Sequence, residues 1–176
     1  MRLFIAIDFD EKMKSRLGRA ITDLARFSET GSFTRWENLH LTLHFIGETT
    51  RVKELVKALD AAETPAFVLS VQGLGSFRRQ GGDIYWVGIE ESPELQSLYA
   101  ELSDALEKSG FPVSKDRFRP HITLGRRVSL KENFDPREFG KNIGQMETKI
   151  KRVSLMKSER IRGKLIYTEV HGKDLK

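Results

Sequence analysis

The sequence HITLGR at residues 121–126 decides how the rest of the chain is interpreted, because a closely similar sequence, HLTLHFIG, occurs at residues 40–47. Each copy places His-x-Thr-Leu inside an apolar run, a pattern typical of a half-buried β-strand. Side chains alternate between the two faces of a strand, so the His and the Thr of each copy share one face while the aliphatic residues take the other. Each copy therefore predicts a strand that presents one imidazole and one hydroxyl on the same surface.

The similarity between the two halves of the chain extends beyond these motifs. An apolar strand begins at Leu3 and another at Ile84, and the His of the following motif lies 37 positions later in both cases (40 − 3 and 121 − 84). In both halves, apolar residues at helical spacing fill the interval between the strand and the His. The sequence therefore predicts an internal repeat that covers approximately residues 2–47 and 83–128.

Local signals complete the expected secondary structure. The predicted helix caps are Asp10, Thr49 or Thr50, and Ser92, which is followed by Pro at the first helical position. Gly31 is predicted to break the first helix, and residues 33–36 to lead into the His40 strand. The first helix is expected at about 10–27, further strands at 67–77, 145–157 and 164–171, and a weaker helical pattern at 133–142. Two copies of one unit can pack about an approximate two-fold axis, which predicts that the two imidazoles face each other across a central cleft.

Composition narrows the class of protein. The 176 residues suit one domain, or two small lobes that share a core. The chain has no Cys, so it has no disulfide framework, no thiol nucleophile and no thiolate metal site. No apolar run approaches the roughly 18 residues of a membrane span, and the N-terminus reads as a first strand rather than a signal peptide. We therefore expect a cytoplasmic protein without a membrane partner.

The chain carries a net charge of +5 and has a sequence pI of about 9.5. A basic balance of this kind is compatible with a phosphate-bearing partner such as RNA, and equally with a solvated surface that has no binding role. Charge alone therefore favours nucleic acid only slightly.

The two His-Thr pairs suit acid–base chemistry on a phosphodiester. One imidazole can act as general base and the other as general acid, while Thr42 and Thr123 hydrogen-bond the non-bridging oxygens. A nearby guanidinium would neutralise developing charge, and Arg126 is the first candidate, with Arg119 the second. Strict alternation would point Arg126 away from His121, so we expect a bulge or a strand end at Gly125.

Other chemistries find less support in the sequence. No His-Glu-x-x-His or comparable spacing occurs, and neither motif places a carboxylate beside its His, so no metal site is expected. There is no nucleophile elbow, and the glycine pairs lack the Lys-Ser/Thr ending of a P-loop. No cofactor is therefore expected.

The paired motifs His40-x-Thr42-Leu43-x-Phe45-x-Gly47 and His121-x-Thr123-Leu124-x-Arg126 resemble the signatures of the 2H phosphoesterase superfamily. The opening RLFIAI at residues 2–7 and the lead-in Trp36-x-Asn38-Leu39-His40 resemble its RNA 2′,3′-cyclic phosphodiesterase branch, also called 2′-5′ RNA ligases. The resemblance covers essentially the whole chain.

The resemblance implies an α+β fold of two pseudo-symmetric lobes, each an antiparallel sheet with helices, in a single domain over residues 1–176. It also implies metal-independent hydrolysis of RNA terminal 2′,3′-cyclic phosphates to 2′-phosphates, with reversible 2′-5′ ligation as a further possibility. We expect the protein to be a monomer. His40 would protonate the leaving 3′ oxygen and His121 would activate water. Thr42 and Thr123 would bind the phosphate with the help of Arg126.

Several side chains near the motifs have two interpretations. Phe118 and Trp36 could stack on the base of the substrate, or belong to the core as aromatic residues beside strands usually do. His44 shares the face of His40 under strict alternation, about 13 Å further along the strand, which predicts a residue at the edge of the groove. His171 is expected at the surface.

Two alternative functions remain open from the sequence. The chain could be a nucleotide or RNA sensor without turnover, although a pure binder has no need of two proton-transfer groups. It could also be a cyclic phosphodiesterase acting on a small nucleotide metabolite. Products formed from cyclic mononucleotides and from RNA ends would separate these alternatives.

Overall fold

A computed structural model describes residues 1–176 of the chain. It contains nine strands and four α-helices, with a short 3-10 turn at Trp36–Asn38 before the first His strand. In chain order the elements are β1 Arg2–Asp8, α1 Glu11–Arg26, β2 Ser28–Phe33, β3 His40–Glu48, α2 Val52–Asp60, β4 Phe67–Phe77, β5 Asp83–Ile89, α3 Pro93–Lys108, β6 His121–Leu130, α4 Pro136–Ile143, β7 Met146–Ile150, β8 Arg152–Ile161 and β9 Lys164–Asp174.

The strands form two antiparallel sheets. The four-stranded sheet has the order β3-β1-β8-β9, and the five-stranded sheet has the order β2-β6-β5-β4-β7. Each first strand therefore pairs with the His strand of its own half, β1 with β3 and β5 with β6. The halves also exchange strands, because β4 pairs with β5 and β8 pairs with β1. The α+β architecture of antiparallel sheets and helices expected from the sequence is confirmed.

The helices are exchanged in the same way. Helix α1 contacts β2, β6 and β7 of the five-stranded sheet, whereas α3 contacts β3 of the four-stranded sheet. The apolar faces of both helices and the inner residues of both sheets join one continuous core of 33 buried residues. The two halves thus bury their apolar surface against each other, and the strands β3 and β6 come into contact between the two sheets. None of the helices has the length and the hydrophobicity needed to cross a membrane.

Most predicted elements are confirmed within one or two residues, but β2 was not predicted. Its sequence, SETGSF, is polar and lacks an apolar alternation, so nothing in it indicates a strand. The strand lies at the edge of the five-stranded sheet and is held by backbone pairing with β6, with Phe33 opposite Gly125. Tertiary pairing overrides local preference at this position.

Two further sequence expectations require correction. The strand expected at residues 145–157 is divided at Lys151 into β7, which pairs with β4, and β8, which pairs with β1. The consecutive polar pair Lys151-Arg152 shifts the phase of the apolar alternation, which is what allows the chain to pass from one sheet to the other. The N-cap of α2 is Arg51 rather than Thr49 or Thr50, and no side chain caps this helix.

The N-cap of α1 gives a test of this packing. The Asp10 carboxylate accepts a hydrogen bond from the Met13 backbone N at 2.7 Å and another from the Thr148 hydroxyl at 3.2 Å. We expect Asp10→Ala to lower the free energy of unfolding by about 1 kcal/mol, as the loss of an N-cap typically does. Asp10→Asn keeps an oxygen acceptor and should lose much less. Urea denaturation measures both, and equal losses in the two variants would contradict this role of the cap.

Candidate active site

A bulge in β6 directs Arg126 toward His121. Gly125 lies opposite Tyr85, whereas the next pair is Thr123 with Trp86, so Leu124 is an extra residue on β6. Leu124 and Gly125 are consecutive and both buried, which breaks the alternation of faces. The Arg126 side chain therefore emerges on the same side as His121 and Thr123, and the bulge expected at Gly125 is confirmed.

Strand β3 has a bulge at the equivalent position. His44 lies opposite Ile5 and Thr42 opposite Ala6, so Leu43 is the extra residue. His44 consequently points into the core, where its Nε2 lies 3.2 Å from the Tyr99 carbonyl oxygen and its ring stacks on that of Tyr99. The prediction that His44 lies at the edge of the groove, on the face of His40, is therefore wrong. Phe45 takes the outward position instead and is 58% exposed.

The two histidines line one cleft. The cavity has a volume of about 800 Å³, and its walls include His40, Thr42, His121, Thr123 and Arg126. The cleft lies where β3 of the four-stranded sheet approaches β6 of the five-stranded sheet. The structure therefore brings together both His-Thr pairs and the first arginine predicted from the sequence.

Each imidazole is oriented by a backbone carbonyl two residues before it. His40 Nδ1 lies 2.7 Å from the Asn38 carbonyl oxygen, and His121 Nδ1 lies 2.7 Å from that of Arg119. A carbonyl oxygen can only accept, so Nδ1 must carry the proton in both rings. Nε2 is then the nitrogen that faces the cleft, and in His40 it lies 2.9 Å from the Thr42 hydroxyl oxygen.

Aromatic rings surround both imidazoles. Phe4 and Tyr167 lie beside His40, each with a ring-centroid distance of 5.1 Å. Phe77 and Trp86 lie beside His121, at 5.1 and 5.8 Å. These rings restrict the imidazoles to one orientation and remove water from their sides.

Burial dominates the electrostatics of the two histidines. It lowers the pKa of both His40 and His121 below the ordinary His value, while the hydrogen bonds to the carbonyls of Asn38 and Arg119 act in the opposite direction. The positive charge of Arg126 lowers the pKa of both rings further, which places one guanidinium within electrostatic reach of both. Burial raises the pKa of Tyr167, while the positive charges of Arg126 and Arg2 act in the opposite direction.

Cations dominate the walls of the cleft. No Asp or Glu side chain lines the 800 Å³ cavity, whereas six basic residues do: Arg35, Arg79, Arg126, Arg127, Arg160 and Lys164. Arg35 is paired with Glu37, but Arg79, Arg126, Arg127 and Lys164 form no ion pair. Such a surface attracts polyanions.

Three predicted substrate-binding residues lie outside the cleft. The Arg119 side chain is exposed and does not line the cavity, so the residue reaches the site only through its carbonyl. Phe118 stacks on Tyr99 at a ring-centroid distance of 4.0 Å and packs against the core. Trp36 lies against α1, with Lys14 Nζ 5.5 Å from its ring centroid. Neither aromatic ring is placed to stack on a base in the cleft.

Sequence reasoning missed several groups that the structure adds. The Asn38 and Arg119 carbonyls, which orient the two imidazoles, are separated by the same 81 positions as the two histidines (119 − 38). The internal repeat could therefore have indicated that they have equivalent roles. Tyr167 comes from β9, far from His40 in the sequence, and the structure sets the two rings side by side. Arg79 comes from the loop after β4, and only the fold brings it to the cleft.

The fold and the cleft together define a 2H phosphoesterase, an α+β enzyme with one His-x-Thr strand from each half at a shared site. Comparison with known sequences agrees, since the sequence model of the 2′-5′ RNA ligase superfamily matches residues 13–162. The chain belongs to this superfamily.

Individual relatives give the same result. A Thermotoga maritima protein named RNA 2′,3′-cyclic phosphodiesterase is 36% identical over 131 residues, which is 72% of this chain and 70% of the relative. The crystal structure of Escherichia coli LigT in its apo form has a TM-score of 0.81 at 30% identity, covering 99% of this chain and 96% of LigT. LigT in complex with 3′-AMP has a TM-score of 0.79 at 29% identity, with the same coverage of both chains.

The shared influence of Arg126 can be tested by titration. Since its charge lowers the pKa of both imidazoles, we expect Arg126→Gln to raise the titration midpoints of His40 and His121 together. Arg162→Gln removes a charge from a residue of the β8–β9 turn that does not line the cleft, and should shift neither midpoint. NMR spectra of the His ring protons as a function of pH measure both variants. A shift confined to one imidazole would contradict the placement of Arg126 between the two.

Proposed function

We propose that the chain hydrolyses the 2′,3′-cyclic phosphate at the 3′ end of RNA to a 2′-phosphomonoester. The observation that carries this proposal is a single cleft, rich in cations, into which two oriented imidazoles direct Nε2. Hydrolysis of a cyclic phosphodiester needs one group that takes a proton from water and one that gives a proton to the departing oxygen. The names of the Thermotoga maritima and Escherichia coli relatives support this substrate.

The two histidines divide the proton transfers. His121 takes a proton from water at Nε2 as the water oxygen forms a bond to phosphorus. The bond from phosphorus to the 3′ oxygen breaks, and protonated His40 gives this oxygen its Nε2 proton. The 2′ oxygen keeps the phosphate. With a 5′-hydroxyl in place of water, the same displacement of the 3′ oxygen would form a 2′-5′ linkage.

The remaining groups hold the phosphate. The hydroxyls of Thr42 and Thr123 donate to its non-bridging oxygens, and Arg126 stabilises the negative charge that increases in the transition state. The Thr42 hydroxyl now lies against His40 Nε2, so binding of the phosphate exchanges this contact for one to a phosphate oxygen. The complexes of the LigT neighbours with 3′-AMP and with phosphate support a site for one phosphate in this cleft.

The proposal covers the whole chain as one 2H phosphoesterase domain, residues 1–176, with the repeat at approximately 2–47 and 83–128. The exchange of strands and helices supports this unity, since neither half retains its core when separated. One chain supplies both the acid and the base, so the proposed reaction needs neither a second subunit nor a metal ion for the proton transfers. A substrate at RNA ends is consistent with the cytoplasm as the place of action.

Replacement of either histidine tests the proposal. We expect His40→Ala and His121→Ala each to lower the rate on a 2′,3′-cyclic mononucleotide by about 10²–10⁴-fold, the usual contribution of a general acid or base. Assays contain EDTA, and chromatography identifies the 2′-phosphomonoester. The control is His171→Gln, because His171 pairs with Asp60 outside the cleft.

Each outcome of this assay distinguishes a function. Full activity in either His→Ala variant would refute the assignment of that histidine. Binding without turnover by the unsubstituted protein would instead indicate a sensor. Turnover of a small nucleotide metabolite, with none of RNA ends, would indicate the narrower phosphodiesterase.

The pH dependence gives a second test. Both imidazoles have a lowered pKa in the free protein, so the bell-shaped profile of kcat/KM, which reports the free enzyme, should lie at a pH below the ordinary His value. A bound phosphodiester carries negative charge, which favours the protonated rings and raises both pKa values. We therefore expect the profile of kcat to lie at higher pH than that of kcat/KM. The reverse order would contradict the placement of the phosphate between the rings.

A further inference from the structure

Arg127 has an unusual backbone conformation for a residue within a strand. Its φ is 53°, in the left-handed region, and Arg162 in the β8–β9 turn is the one other residue besides glycine with a positive φ. Gly82 packs directly against the Arg127 backbone, because a Cβ atom at position 82 would lie 2.6 Å from the Arg127 carbonyl carbon. Backbone strain of this kind persists where the surrounding structure enforces it, and it is concentrated at functional sites.

The consequence of this conformation is that Arg126 and Arg127, although consecutive, both line the cleft. Alternation along a strand would send one of them to the opposite face. The bulge at Leu124 directs Arg126 to the cleft, and the left-handed residue directs Arg127 to the same side. The Arg127 guanidinium forms no ion pair and no hydrogen bond within the protein, so it is free to bind an anion.

Arg79 lines the same cavity as Arg127 and extends its cationic surface. The loop that carries it closes on Gly82, whose backbone N donates to the Arg79 carbonyl oxygen at 3.3 Å. The Arg79 guanidinium carbon lies 5.9 Å from the Phe77 ring centroid, and the same ring packs against His121 at 5.1 Å and Trp86 at 5.2 Å. The Phe77 ring therefore contacts both Arg79 and the reacting histidine. The Arg79 guanidinium, like that of Arg127, forms no ion pair, although its Nη1 donates to the Arg78 carbonyl oxygen at 2.9 Å and the Arg79 backbone N donates to the Asp83 carboxylate at 3.1 Å.

We propose that Arg79 and Arg127 form a second phosphate-binding site, which takes a backbone phosphate of the RNA strand upstream of the reacting end. This inference rests on the proposed function. A cyclic mononucleotide has a single phosphate, which binds at the histidines. This substrate therefore has no second phosphate that could bind to Arg79 and Arg127. An RNA strand has further phosphates, and two guanidiniums that form no ion pair can bind one of them through paired N–H groups. The second site thus makes the enzyme favour RNA ends over mononucleotides.

The chain offers a matched control for this proposal. Arg162→Ala removes the same charge from the other left-handed arginine, which is exposed and does not itself line the cleft. Because Arg and Ala meet the same steric restriction at positive φ, Arg127→Ala and Arg162→Ala differ in location rather than in backbone effect. Arg127→Lys keeps the charge but loses the planar fork.

The test compares kcat/KM on a 2′,3′-cyclic mononucleotide with kcat/KM on a short unstructured oligoribonucleotide with the same terminal cyclic nucleotide. We expect Arg127→Ala to lower the value for the oligoribonucleotide about tenfold, as the loss of a hydrogen bond to a charged group does, and to change the mononucleotide value less than about twofold. Arg127→Lys should recover part of the loss. The slope of log(kcat/KM) against log salt should become shallower by about 0.7, which corresponds to one phosphate contact on a single strand. Arg79→Ala should act in the same direction.

Two results would overturn the second site: equal losses on both substrates, which would place Arg127 at the reacting phosphate, and equal behaviour of Arg127→Ala and Arg162→Ala. Failure of the unsubstituted protein to hydrolyse either substrate would contradict the proposed function instead. In that case fluorescence anisotropy with the labelled oligoribonucleotide decides the inference separately. Weaker binding by Arg127→Ala than by Arg162→Ala would support the site, and equal affinities would refute it.

Discussion

Each His strand must pack against the core with one face and present reacting groups with the other, and a one-residue bulge in each strand determines how this is achieved. Leu43 and Leu124 are the extra residues, at positions 81 apart (124 − 43), the same separation as the two histidines. Before the bulge, the His and the Thr face the cleft; after it, the pattern of faces shifts by one residue. Arg126 therefore joins the cleft, and Phe45, its counterpart in the first half, takes the outward position on β3.

The two bulges also show where sequence reasoning succeeds and where it fails. Gly125 has no Cβ and interrupts an apolar run, so it indicates the irregularity in β6. The equivalent residue in β3 is His44, which gives no such indication, and strict alternation assigns it to the wrong face. The burial of His44 is decided by what lies behind it, the Tyr99 ring and carbonyl on α3. Such a contact between distant parts of the chain cannot be deduced from local pattern.

The same distinction applies to the fold. Helices with caps and apolar periodicity, and strands with internal alternation, could be predicted, and β4 was predicted with its observed bounds. Strand β2 is polar and depends on pairing with β6, and the division between β7 and β8 depends on which sheet each part joins. In the site, the histidines and threonines followed from repetition within the sequence. Tyr167 and Arg79 are brought to the cleft by the fold alone.

Departures from ideal local structure are concentrated around β6 and its neighbour β5. Arg127 has a left-handed backbone, a conformation that costs an L-residue about 1–2 kcal/mol, and the Trp86 indole Nε1 is buried without a hydrogen-bond partner. Trp86 lies over Gly75, where any side chain would collide with its ring, and the indole also packs against Phe77 and His121. A sequence selected for stability alone would avoid both features. Both features are explained if β5 and β6 are selected for function. The Trp86 ring holds the His121 imidazole in place, and the Arg127 backbone directs a second guanidinium, beside that of Arg126, into the cleft.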